Sequence, residues 1–495
     1  MSPDSRQSVV VIGGGVGGLS TACYLASADF DVTVLEKNEQ LGGRASRLTE
    51  DGFHFDMGPS WYLMPDVFER FFRHFGKLPS EYYELDRLDP HYRIFFKDGD
   101  KVDITPDREQ VKDVFDSYEP GAGAQLDAYL EESKRNYEVA MNEFVYKDRP
   151  NLRDWVDPSV LKAAPIGLNL IGSMQDHVED YFEHPKLQQI MQYTLVFLGG
   201  SPKNTPALYN MMSHVDFNLG VYYPEGGIGA VIDGIVELAE ELGVKFVTDC
   251  EVTEVTRRRE GFLVETTQDE YHPDLVVSDA DYAHTEQDLL PEHERQYSAD
   301  YWEDRTYAPS AFLLYLGVEG DVEELAHHTL VLPEDWNPHF EQIFDRPAWP
   351  DNPAYYLCVP SKTDDTVAPA GHSNLFALVP IAAGLTDTPK LRRQYRAKIL
   401  DDIETNTGVR LHDRIVFEKS FCVRDFASRY NSTQGTALGL AHTLRQTALL
   451  RPPHRSKKVS GLYFTGSFTT PGIGVPMCLI SGEHAANAVI HDSPL

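Results

Sequence analysis

The sequence predicts an α/β protein in which a parallel, dinucleotide-binding sheet is divided by an inserted α+β region. Three observations predict it. The N-terminal stretch VVVIGGGVGGLSTACYLASADFDVTVLEKN reads as strand, glycine turn, helix, strand. The C-terminal stretch LYFTGSFTTPGIGVPMCLISGEHAANAVI reads as strand, glycine-proline loop, helix. The 495 residues exceed what one simple core needs, so two or three domains are expected.

Val9 to Ile12 form a short β-branched run, the pattern of a strand buried on both faces. Gly13, Gly15 and Gly18 then give G-x-G-x-x-G. The first glycine permits the tight turn, the second lets backbone approach a pyrophosphate, and the third lets helix and strand pack closely. The helix predicted from Val16 to about Ala28 directs free N–H groups and its positive dipole end at the phosphates. A second strand, Val32 to Leu35, ends on Glu36, whose carboxylate can accept hydrogen bonds from a ribose diol. Strand, helix, strand and acid stand in register, which is the context this Rossmann-type fingerprint requires.

Gly42-Gly43-Arg44 follows Glu36 closely, and Phe53-His54-Phe55-Asp56-Met57-Gly58-Pro59-Ser60 gives an alternating strand that ends in a turn. The doublet resembles that of the glutathione-reductase-like FAD proteins, the branch that includes amine oxidases and carotenoid desaturases. The resemblance implies FAD as cofactor, Arg44 as a bidentate cation on its pyrophosphate, and the Gly58-Pro59 turn beside the flavin ring. It also gives the C-terminal segment a role. Gly461 to Thr465 would lead to Gly466, and the helix from Val475 to about Val489 would aim its N-terminus at the flavin. There it would stabilise negative charge on the reduced ring. Gly472 and Gly474 would let backbone lie flat against that ring, and Pro471 and Pro476 would stiffen it.

Three further stretches narrow the resemblance to the phytoene-desaturase family over about Val9 to Val489. They are Tyr222 to Val255 with its P-E-G-G-x-G-A-V, Phe312 to Val318, and Tyr355 to Ile381 with its D-D-x-x-A-P-x-G-H. The family's usual C-terminal text, close to G-A-G-T-H-P-G-x-G-I-P, departs here at Phe468, in place of Gly, and Thr470, in place of His. The resemblance implies that Val252 contacts the adenine side through its backbone. It also implies a discontinuous FAD domain (1–104, 221–289 and 416–495) and a substrate domain (105–220 and 290–415) holding an apolar tunnel. In the first insert Asn169-Leu170-Ile171, Ile190-Met191 and Leu195 to Leu198 supply apolar faces near Gly199-Gly200.

Composition excludes other classes. The net charge of -33 repels nucleic acid, so no such partner is expected. With 17 Lys against 27 Arg, the acidic surface fits concentrated salt, which screens self-repulsion. The five cysteines make no C-x-x-C pair and read as reduced thiols in a cytosolic protein. No His pair has ligand spacing with an acid or Cys, so no metal is expected. No nucleophile elbow appears. MSPDSRQ does not read as a signal peptide, and no apolar run reaches about 18 residues.

The expected activity is desaturation of an acyclic carotenoid, either phytoene or a lycopene-derived chain at its 3,4 bond. Isomerase or saturase chemistry on the same fold is the alternative, and a non-catalytic lipid carrier a more distant one. Such a substrate dissolves in membranes, so peripheral docking is expected. Arg257-Arg258-Arg259, on a hairpin, and the stretch from Arg445 to Lys458 are the cationic clusters available. No acid–base residue is assigned; Asp148 and Arg149 sit in the polar stretch YKDRPNLRDW, which a solvated turn explains equally well.

Overall fold

The computed structural model describes residues 6–149, 153, 172–443 and 445–493. A five-stranded parallel sheet runs Leu462–Phe464, Leu275–Ser278, Ser8–Ile12, Asp31–Leu35, Lys245–Val247. Its central strand is Ser8–Ile12, whose Val9 to Ile12 are buried, as the β-branched run predicted. The helix Val16–Ser27 covers one face and packs on the last helix, Val475–Asp492. A Cβ on Gly482 would lie 2.5 Å from Ser20, and one on Gly18 would lie 2.2 Å from the Gly13 carbonyl. Glycine at both places lets the last helix, first helix and first strand stack closely, so chain ends more than 400 positions apart meet at one site.

A second, seven-stranded sheet has the order Ile415–Phe421, Ser310–Glu319, His372–Ile381, Tyr355–Cys358, His328–Leu332, Tyr92–Phe96, Lys101–Ile104. The helix Pro389–Thr407 covers one face through Tyr395, Ile399, Leu400 and Ile403. The other face carries Leu313, Tyr315, Leu330, Tyr356 and Phe376. These residues share a core with the helical insert, including Tyr129, Leu187 and Ile190.

The domain boundaries at 104 and 416 are corrected here. Tyr92–Phe96 pairs parallel with His328–Leu332, and Ile415–Phe421 pairs antiparallel with Ser310–Glu319. Strand composition does not reveal which of two sheets a strand joins; only the pairing does. Asn169-Leu170-Ile171 lies outside the described residues. Ile190 and Met191 are buried, as expected.

Candidate functional site

One continuous cavity joins the two sheets. At one end it is lined by Gly13, Gly15, Glu36, Gly43, Arg44, Val252 and Asp279. It continues past Gly58, Pro59, Gly466, Gly474 and Val475, and then opens along Trp61, Tyr193, Leu313, Leu330, Phe340, Tyr356 and Leu378. The sequence-assigned residues are thereby brought together, apart from Gly18, which packs helix on strand, and Gly472, which stands in the C-terminal loop against His442 and outside the cavity wall.

The polar end is built for a dinucleotide. Gly13 takes φ +95°, closing the turn, and Gly43 takes φ +56°, where an added Cβ would lie 3.1 Å from Gly15 Cα. Glu36 is buried; its carboxylate accepts the Gly14 N–H at 2.7 Å and the Asn38 N–H at 2.8 Å, fixing it at the strand end. Val252 begins its strand beside Cys250 and Glu251, next to Glu36 and Asn38 on the same wall. Arg44 donates through Nη2 to Ser432 Oγ at 3.1 Å, while its buried Nε has no partner among the described residues. A buried guanidinium N–H without an acceptor costs several kcal/mol in order of magnitude unless an anion meets it. These features fit FAD, whose pyrophosphate supplies the missing acceptor.

The C-terminal helix begins at Val475, with Gly474 at φ +120° before it and Pro476 in its first turn. An added Cβ at Gly474 would meet only the chain's own Met477 and Pro476, both beyond 3.4 Å, so this backbone is open toward the cavity. Behind it, a Cβ on Gly472 would lie 2.3 Å from His442 Nε2. Glycine there admits the imidazole, which accepts the Ile473 N–H at 3.1 Å and holds Tyr209 Oη at 2.5 Å from its Nδ1. Burial, then the nearby Arg451 charge, keeps His442 neutral. The two departures from the family text are accommodated: Phe468 packs edge-on against Trp302, and the Thr470 hydroxyl lies 3.0 Å from His454 Nε2.

The more specific family segments also meet. Asp364 accepts the Gly226 N–H at 2.8 Å and the Tyr223 hydroxyl at 3.0 Å. Asp56 accepts the Ile228 and Gly229 N–H groups at 2.8 and 3.0 Å, capping the helix Ile228–Glu241 with negative charge. Burial pushes Asp56 up to about 6 despite those bonds.

Several residues at the site escaped the sequence. Asp279 follows the strand Leu275–Ser278 and lies half-buried against the glycine turn; desolvation pushes it up to about 7, with Glu36 adding to the rise and the Gly18 N–H, Arg44 and the Gly15 N–H opposing it. The rule that ligands bind beyond the carboxyl ends of parallel strands was the signal available. Arg451 and His454, read as part of a surface cationic cluster, are 4% and 3% exposed. Arg451 donates to the carbonyls of Ser467, Thr469, Gln446 and Leu440, and Arg455 pairs with Asp492. Arg257-Arg258-Arg259 does stand at the turn between Val252–Arg257 and Phe262–Thr266. Arg149 is buried, not solvated: it donates to the Glu143 carbonyl and lies over Phe144. The second sheet also gathers His327, His328 and Cys358, a grouping that their spacing in the sequence did not show.

The apolar end fits a long hydrocarbon. Its walls are mostly aromatic and aliphatic, and several of the polar groups behind them bond to one another. Tyr356 Oη lies 2.8 Å from Ser60 Oγ and 2.7 Å from His328 Nδ1, and His339 holds the Pro380 carbonyl through Nε2. No helix among the described residues is long and apolar enough to cross a membrane.

Comparison with known proteins agrees with this geometry. The family described as flavin containing amine oxidoreductase matches residues 16–490. A carotenoid 3,4-desaturase from Haloarcula japonica is 73% identical, covering 99% of this chain and all of that one. A 4,4'-diapophytoene desaturase from Staphylococcus haemolyticus is 31% identical over 98% of this chain and 99% of its own. Among solved structures, an oxidoreductase from Methanosarcina mazei superposes with TM-score 0.65 at 16% identity, covering 96% of this chain and 99% of that one. Putrescine oxidase bound to putrescine superposes at 0.61 and 15%, covering 98% and 99%. These two show the fold alone. The chain therefore belongs to the flavin containing amine oxidoreductase family, in its carotenoid desaturase branch, and is an FAD-dependent oxidoreductase.

Proposed function

We propose that the enzyme introduces the 3,4 double bond into an acyclic, lycopene-derived carotenoid and does not begin the pathway on phytoene. The observation that carries this reading is the 73% identity to a carotenoid 3,4-desaturase over nearly the full chain, against 31% to a diapophytoene desaturase. Bound FAD supplies a hydride acceptor. The chain's own contribution is positional. The apolar cavity excludes water and aligns a saturated C–C unit, while the open backbone at Gly474 and the helix from Val475 set a positive dipole end at the ring. The buried Arg451 cation, bound to the Ser467 and Thr469 carbonyls, supports that loop from behind.

The membrane edge belongs, in this reading, to the loop around Arg445 to Leu450. Leu450 is 57% exposed beside Arg451 and near cavity-lining His442, and Lys457 and Lys458 are exposed nearby. A peripheral mode suits a substrate that stays in lipid.

Pigment analysis in two hosts tests the function. New long-wavelength bands only in the host supplying lycopene-derived chains support the 3,4 step. Conversion of phytoene would move the enzyme to the start of the sequence of desaturations. Colour change in neither host, with flavin bound, would favour an isomerase or saturase.

A further inference from the structure

The second sheet places three soft ligands behind the cavity wall. His328 and Cys358 are directly paired across the strands His328–Leu332 and Tyr355–Cys358. His328 Nδ1 lies 3.7 Å from Cys358 Sγ. His327 precedes them, its ring centroid 4.5 Å from that of His328. One ligand atom from each of the three lies within 4.8 Å of the others, and all three residues are buried.

We propose that His327, His328 and Cys358 bind one borderline-soft transition cation of the zinc type, cross-linking the strands that form the wall of the substrate cavity. Two observations support it beyond proximity. His327 Nδ1 is taken by Thr363 Oγ1 at 2.8 Å, which leaves Nε2 as its ligand atom, and that atom is buried without a partner among the described residues. His328 Nε2 is likewise buried and unpartnered, while its ring is fixed by stacking on Trp61 at 4.2 Å and 10°. Native interiors rarely leave such buried atoms unpaired.

The donor set selects the ion. Two imidazoles and a thiol, with no carboxylate among the three, suit zinc or monovalent copper and disfavour calcium or magnesium. Burial keeps both imidazoles neutral, the form that ligates. Burial pushes the Cys358 thiol up to about 12, so binding expels one proton from sulfur as the metal–sulfur bond forms. The 4.8 Å spread exceeds the ~3.5 Å edge implied by Zn–N near 2.0 Å and Zn–S near 2.3 Å, so the ion would draw the side chains inward. Tyr356 and Trp61 contact His328 and line the cavity, so the ion would stiffen its wall.

The test is metal analysis of the purified flavoprotein after zinc supplementation and dialysis against a mild chelator. The expected result is about one zinc per chain in the wild type and a trace in C358S and H328Q, with flavin absorbance retained. Cobalt in place of zinc should give a thiolate charge-transfer band that C358S abolishes. Copper bound instead, and lost in the same variants, also supports the site. H327Q, whose amide can keep a hydrogen bond to Thr363, provides the same reading if C358S fails to fold. A wild type that retains no equivalent of zinc, cobalt or copper, or retention by the folded variants, overturns the proposal.

Discussion

Arg451 Nη2 donates to the Ser467 carbonyl at 2.5 Å, and its four acceptors among the described residues are backbone carbonyls on the C-terminal loop and the segment before it. A cation is therefore buried beneath the loop that faces the flavin. Burial lowers it only to about 10, so it stays charged at neutral pH.

Removing that cation should release the loop. Arg451→Met leaves four carbonyls without their donor, at about 1.5–3 kcal/mol for each bond to a charged group before relaxation. The expected outcome is a thermal midpoint lowered by several degrees and FAD affinity weakened by roughly tenfold or more. Flavin fluorescence titration reads the second effect. Unchanged affinity would show that the loop holds its shape without Arg451.

Arg44 has the opposite situation, a donor awaiting an acceptor. Its Nε is buried without a partner among the described residues, while Nη2 is held by Ser432. Arg44→Ala should weaken FAD binding by about 100-fold while leaving the apoprotein's stability nearly unchanged or improved, since a buried unpaired donor is removed. Arg44→Lys should recover only part, because an ammonium cannot reproduce the planar fork. Equal loss of apoprotein and holoprotein stability would contradict this assignment.

Asp279 makes stability depend on pH. Its folded value of about 7 lies above the ordinary 3.8, so between these limits the unfolded chain has lost a proton that the folded chain keeps. Stability from this group is therefore full below about 3.8, falls as pH rises toward 7, and levels off above. Asp279→Asn should be progressively more stable than wild type across that window, compared as apoproteins at fixed high salt. An anion beside the glycine turn favours protonated Asp279 further, so FAD affinity should decline above pH 7 in the wild type and less in the variant. Parallel pH profiles for the two proteins would refute this coupling.

Both ends of the nucleotide site were legible because each is a local pattern: turn glycines, a dipole-bearing helix start, and an acid at a strand end. Gly13, Gly15 and Glu36, read from their spacing, and Gly43 and Gly474, read from the family resemblance, stand in the cavity wall. What stayed hidden depends on pairing between distant segments. Tyr92–Phe96 joins the second sheet through His328–Leu332, and the same sheet's register sets His328 opposite Cys358. Arg451 and His454 misled because a cationic run between prolines resembles a surface loop; the carbonyls that bury Arg451 come partly from Ser467 and Thr469, 16 and 18 positions later. Asp279 depends on a turn more than 260 residues before it.

The central claim is that this chain removes hydrogen from an acyclic carotenoid and passes it to FAD. Anaerobic mixing of the purified holoenzyme with liposomes carrying a lycopene-derived substrate tests it most directly. The account predicts loss of the oxidised flavin band together with a longer-wavelength carotenoid spectrum, one flavin reduced for each double bond formed. A change in the carotenoid spectrum with the flavin left oxidised would contradict it and identify an isomerase.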